Sequence, residues 1–181
     1  VQNGVSFNPS VTTTYTVFGQ NGCGTSSAVT SITVAPIPVQ AVAGPSTICY
    51  GQTSTLTAIS GVNQYTFAPL NYTANTGVLV VSPTVSALYT ITVSDGTCSG
   101  VAQVSLNVNP IPTVAIAPSS SLACQGAAVT MTATGGTSYT WYPGGSNGTT
   151  FTATPSSPTL YSVVASNSFG CLGWGNQVVL T

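Results

Sequence analysis

Five cysteines, one carboxylate and one glycine-flanked tryptophan are the residues of this chain with chemistry to offer. The cysteines are Cys23, Cys49, Cys98, Cys124 and Cys171, and there is no His to complete a zinc site with them. No two are spaced as CxxC, so the pattern argues against a zinc site. The spacing from Cys49 to Cys98 nearly equals that from Cys124 to Cys171. It predicts two disulfides, Cys49–Cys98 and Cys124–Cys171, formed in an oxidising compartment. Cys23 is left over, and its partner is expected outside this segment.

The carboxylate is Asp95, the single acidic residue in a chain without Lys or Arg. General acid–base catalysis needs a titratable group near its operating pH, and paired mechanisms need two. A nucleophilic Ser or Cys has no base here, and one carboxylate does not build a calcium site. No enzyme activity, cofactor or metal is therefore expected. Asp95 lies in SDGTC, where Asp-Gly favours a hairpin turn. Without basic residues a nucleic-acid partner has no electrostatic footing, and no apolar run is long enough to insert in a membrane. Trp174, in CLGWGNQ, has no aromatic counterpart in the related segments. With Asn176 and Gln177 it is the one candidate surface contact for a neighbouring copy or a glycan. Asn71-Tyr72-Thr73 and Asn147-Gly148-Thr149 are sequons, so Asn71 and Asn147 are possible glycosylation positions.

Stepping from these residues to what must hold them, three segments align: 3–17, 76–93 and 147–164. In each a proline precedes a tyrosine by six positions (Pro9 and Tyr15, Pro83 and Tyr89, Pro155 and Tyr161), and a cysteine follows. A second block occurs twice, as CYGQTSTLTAISGVNQYTFAP from Cys49 and CQGAAVTMTATGGTSYTWYPG from Cys124. The joints carry Pro-Ile-Pro at 36–38 and 110–112. Proline lacks the N–H a sheet needs and stiffens an extended chain. The expected organisation is thus the C-terminal half of a repeat (1–36) followed by two repeats, 37–110 and 111–181. The half-repeat has no counterpart of the second block, so Tyr15, Val17, Ile32 and Val34 are expected to need an opposing sheet from elsewhere. It is expected to be completed by other polypeptide, from upstream or from an adjacent copy.

Within the repeats apolar and hydroxylated residues alternate. Leu56 and Ala58 alternate with Thr55 and Thr57; Val129, Met131 and Ala133 with Thr130 and Thr132; Tyr89, Ile91 and Val93 with Thr90 and Thr92. A period of two with threonine outside is the signature of half-buried antiparallel strands. Short strands between Gly, Pro and Asn clusters, in repeats this small, predict an all-β fold of tandem Ig-like antiparallel β-sandwiches. Trp141 is expected in the core, and Phe67 stands at the same place in the repeat before.

The order CxG, tLtA, YtW-PG, tP, Y-t-V, GC resembles the Ig-like, PKD-like repeats of secreted Bacteroidetes surface proteins and adhesins. The third repeat carries it best; the second departs from it at Phe67 and at SDGTC. The resemblance implies a spacer or adhesive stalk. Together these readings predict a structural, extracellular or cell-surface stalk or filament-forming protein, whose partners are further repeats or other copies of itself. A carbohydrate- or host-binding adhesin module is the alternative. A nearly uncharged surface is consistent with hydration by hydroxyls and glycans, or with cover by neighbouring copies.

Overall fold

The computed structural model describes Ser6 and Asn8–Thr181; residues 1–5 and Phe7, which open the expected half-repeat, lie outside the described residues. Alternation of apolar and hydroxylated side chains makes strands throughout: β1 (Thr13–Asn21), β2 (Gly24–Ile32), β3 (Gln40–Gly44), β4 (Thr47–Cys49), β5 (Ser54–Ile59), β6 (Gln64–Ala68), β7 (Tyr72–Ala74) and β8 (Val78–Val81). They continue with β9 (Ala87–Ser94), β10 (Ser99–Asn109), β11 (Ala115–Pro118), β12 (Val129–Thr134), β13 (Ser138–Tyr142), β14 (Thr150–Ala153), β15 (Thr159–Ser166) and β16 (Leu172–Val179). The fold is all-β. Two compact units divide these strands: residues up to Val42 with Leu56–Leu79 and Tyr89–Val104, and Ala43–Thr55 with Val80–Leu88 and Ser105–Thr181.

The second unit holds the sandwich of the third repeat. One sheet has the order β11-β12-β14 and the other β13-β15-β16, which is the division of strands A, B, E from C, F, G that defines an Ig-like sandwich. Val129, Met131 and Ala133 of β12 share one core with Tyr139, Trp141, Tyr161, Val163, Ala165 and Val179. Trp141 is fully buried, stacks on Phe151 with centroids 5.7 Å apart, and donates from Nε1 to the Gly148 carbonyl at 2.9 Å. Its one polar atom is thereby satisfied, so burial of the ring is stabilising. Each large side chain in this core is worth about 1.5–3 kcal/mol relative to exposure.

In the first unit β6 pairs antiparallel with β7 and β9. Leu56, Ala58, Tyr65, Phe67, Tyr89, Ile91 and Val93 are buried, so Phe67 fills the position that Trp141 fills in the third repeat. The second repeat orders its strands as β3-β5-β8 and β4-β10-β9-β6-β7, again A-B-E against C-F-G with two additions. By contrast, β1 and β2 form a sheet of two strands, with Val17, Phe18 and Val29 exposed. A hairpin alone is marginally stable in water.

The addition that matters most is β4. It pairs in parallel with the far end of β10, with Thr47, Ile48 and Cys49 opposite Asn107, Val108 and Asn109. The third repeat repeats this with a parallel bridge from Leu122 to Leu180 and a hydrogen bond from Ala123 N to Leu180 O of 2.9 Å. Both Pro-Ile-Pro joints then pass over a glycine. The Ile37 carbonyl lies against Gly100 and the Pro112 carbonyl against Gly173, each where a Cβ would stand. These glycines are required by close approach of backbone to backbone. Gly173→Ala is expected to cost about 1–3 kcal/mol by overpacking, read as a lowered melting temperature. An unchanged melting temperature would contradict the crossing at Pro112.

Candidate functional site

The candidate site is a covalent staple between consecutive repeats. Cys49 is bonded to Cys171, with Cα atoms 5.6 Å apart and a sequence separation of 122. Cys23, Cys98 and Cys124 carry free thiols. The expected Cys49–Cys98 and Cys124–Cys171 pairs are thus corrected, and the parallel register explains why. Cys49 ends β4 beside Asn109, the last residue of β10, whereas Cys98 precedes Ser99, its first. The 11 residues of β10 span about 35 Å. Likewise Cys124 follows the bridge at Leu180, whereas Cys171 precedes Leu172, and the 8 residues of β16 span about 25 Å. A disulfide tolerates about 7 Å between Cα atoms. Within one repeat the two cysteines sit at opposite ends; the bond joins the foot of the second repeat to the head of the third.

Each partner of the staple is shaped by a local turn. At the head, Asn167 Oδ1 accepts from Phe169 N and Cys171 N, both at 3.0 Å, and its Nδ2 donates to the Pro110 carbonyl at 2.7 Å. One amide therefore shapes the hairpin and latches the incoming linker. At the foot, Gln52 N donates to Cys49 O at 3.0 Å, Gln52 Oε1 accepts from Cys49 N at 3.0 Å, and Tyr50 N donates to Asn109 O at 2.9 Å.

The turn role read for Asp95 is visible in its contacts. Oδ1 accepts from Thr97 N at 2.8 Å and Cys98 N at 2.7 Å. The bonds from the Cys98 and Thr97 amides hold its carboxyl below the ordinary carboxylate range, because they favour the charged form.

Trp174 lies on the outer face of the β13-β15-β16 sheet, 63% exposed, opposite Val164. Asn176, Ser162 and Tyr142 form the neighbouring cross-strand row. Gln177, expected beside Trp174, is on the other side: successive residues alternate faces, and its amide donates to the Val178 carbonyl at 2.9 Å. Tyr142, 50% exposed, shares the face instead. Sequence reasoning missed Tyr142 because position alone did not separate it from its buried neighbour Trp141. It also missed Asn167, although Asn21, Asp95 and Asn167 recur just before the three hairpin cysteines. Asn71 is exposed in a left-handed backbone conformation with φ of 51°. Asn147 is exposed and accepts from Thr140 Oγ1 at 2.9 Å.

No protein-family profile matches the chain, and no curated protein matches its sequence. Similar folds occur among solved structures. Murine CEACAM1b is 13% identical with a TM-score of 0.38, covering 79% of this chain and 98% of its own. Titin domains A168–A170 are 15% identical with a TM-score of 0.34, covering 94% and 75%. A bacterial ice-binding adhesin is 17% identical with a TM-score of 0.38, covering 92% and 72%. These superpositions are loose, and the Ig-like assignment rests on the strand order above.

A non-reduced digest of the chain is expected to yield the Cys49–Cys171 link and neither Cys49–Cys98 nor Cys124–Cys171. Closing so long a loop contributes about 5 kcal/mol in the chain-entropy account, so Cys49→Ser should melt well below the parent.

The pH dependence of stability is expected to come from Asp95. Its folded pKa is lowered, so its contribution is present above the unfolded pKa of about 4 and is lost as pH falls through the folded value. Melting temperature measured from pH 8 to pH 2 should fall on the acid side, and Asp95→Asn should flatten that fall. An acid limb unchanged in the variant would assign it elsewhere.

Proposed function

We propose that this chain is a structural stalk or fibre-forming protein of tandem Ig-like repeats on a bacterial surface. The observation that carries the reading is the Cys49–Cys171 bond. It joins the end of one repeat to the beginning of the next, where a bond within a repeat would serve that repeat's own stability alone. A disulfide of this kind fits an oxidising, extracellular setting. The Pro-Ile-Pro joints, each laid over a strand glycine, add stiffness at the same places. Nothing in the chemistry calls for a reaction: the one carboxylate is committed to a turn. Immunogold electron microscopy of cells with an antibody to this chain should label thin surface projections at intervals along their length. Label confined to the cell interior, or to material without elongated form, would overturn the reading.

A second reading, a carbohydrate- or host-binding module, is favoured by the Trp174 and Tyr142 face. In the second repeat Val101 and Ala68 stand at these positions, and the same strand order forms without the aromatics. The rings therefore serve something other than folding, and an aromatic platform with hydroxyl and amide neighbours suits a neutral sugar. On a glycan array the chain should bind a neutral saccharide, and Trp174→Val should lower that signal at least tenfold. A silent array, or signal unchanged in the variant, removes this reading.

A further inference from the structure

We propose that Cys124 of one copy and Cys23 of a second copy form the same staple that Cys49 and Cys171 form within the chain, linking copies covalently foot to head. This rests on the stalk reading and names the partner that extends it.

Both halves of the staple recur elsewhere in the chain. The foot of the staple occurs twice. Cys124-Gln125-Gly126 repeats Cys49-Tyr50-Gly51, and Ala127 N donates to Cys124 O at 2.9 Å as Gln52 N donates to Cys49 O at 3.0 Å. Each foot cysteine follows a short segment paired in parallel with the last strand of its repeat. In the second repeat this foot is bonded; in the third, Cys124 is exposed with a free thiol. A bond to its own repeat is barred by the length of β16.

The head of the staple occurs three times. Asn21 Oδ1 accepts from Cys23 N, two residues on, at 2.9 Å, and Asn167 Oδ1 accepts from Cys171 N, four residues on, at 3.0 Å. Cys98 is presented by the Asp95 carboxylate. The difference is chemical. Asn167 also donates an N–H to the carbonyl of the incoming linker. Asn21 has that donor; a carboxylate has none and repels a carbonyl oxygen. Of the two free head cysteines, Cys23 is therefore the match for an incoming foot. It is also exposed, on a hairpin with exposed Val17, Phe18 and Val29, apolar surface that a docked repeat would cover.

The reaction is an oxidation of two thiols by a disulfide. Cys124 and Cys23 give up two protons and two electrons as the Sγ–Sγ bond forms. An acceptor disulfide, here glutathione disulfide, takes them up and leaves as two thiols. Each copy contributes one foot, Cys124, and one matching head, Cys23, to this linkage, so the product is linear.

The full chain, prepared as an equal mixture of 14N- and 15N-labelled protein, is oxidised with glutathione disulfide and separated without reductant. A ladder of multimers is expected, collapsing on reduction. Mass spectrometry of its digest should show Cys23–Cys124 peptides of mixed isotope at least tenfold above Cys98–Cys124. Cys98→Ser should keep the ladder; Cys23→Ser and Cys124→Ser should each abolish it while melting as the parent does. A chain that stays monomeric, a Cys124–Cys124 dimer, a dominant Cys98–Cys124 link, or a ladder lost in Cys98→Ser overturns the proposal. The crosslink map needs no substitution, so it decides even where a variant folds poorly. Any of these failures leaves the stalk reading to the surface labelling, which reports location and not linkage.

Discussion

Parallel pairing of a three-residue strand with the far end of a long one governs the arrangement of this molecule. β4 lies beside the last residues of β10 and so carries Cys49 to the foot of its repeat. Had this segment paired with the beginning of β10, the cysteine would have faced the hairpin that holds Cys98 and the bond would have closed inside one sandwich. The cost of the parallel choice is small, since parallel pairing is only slightly weaker per residue. Its effect is to turn a stabiliser of one repeat into a connection between two.

The glycines and the Asn latch follow from that connection. To bring Cys171 within bonding distance of Cys49, the linker after Asn109 must lie close to the hairpin that presents Cys171. Gly173 lets the Pro112 carbonyl approach, and Asn167 fixes the Pro110 carbonyl with one hydrogen bond. A larger residue at 173 would hold the linker off the strand. The core around Trp141 keeps β13 and β15 in register beneath this joint.

Much of the fold was legible because alternation is a local signal. Val129, Met131 and Ala133 read as inward-facing and are buried, as are Tyr89, Ile91, Val93 and both Phe67 and Trp141. Along β10, Leu106 is buried while Val104 and Val108 on the same face are half-buried. The cysteine pairing was misread because equal spacing identifies equivalent elements and is silent about strand direction. The same spacing is produced by a bond within each repeat and by a bond to the next. The one local clue was the Cys-x-Gly at 98–100 and again at 171–173, which marks where another stretch of backbone must pass. Gln177 was grouped with Trp174 by proximity along the chain, which in a strand places alternate residues on opposite faces.

The staple also decides how tension travels. A pull on the two ends of this chain reaches Cys49, crosses one sulfur–sulfur bond to Cys171 and leaves along β16. Residues 50–170 lie outside that covalent path while the bond is intact. A separation of 122 residues withholds about 400 Å of extended chain. The Trp141 core meets the load only through β16, which carries Val179 into that core and pairs with β15. Resistance to stretching falls first on the pairing that holds the strands flanking the bond, β4 on β10 and β16 on β15.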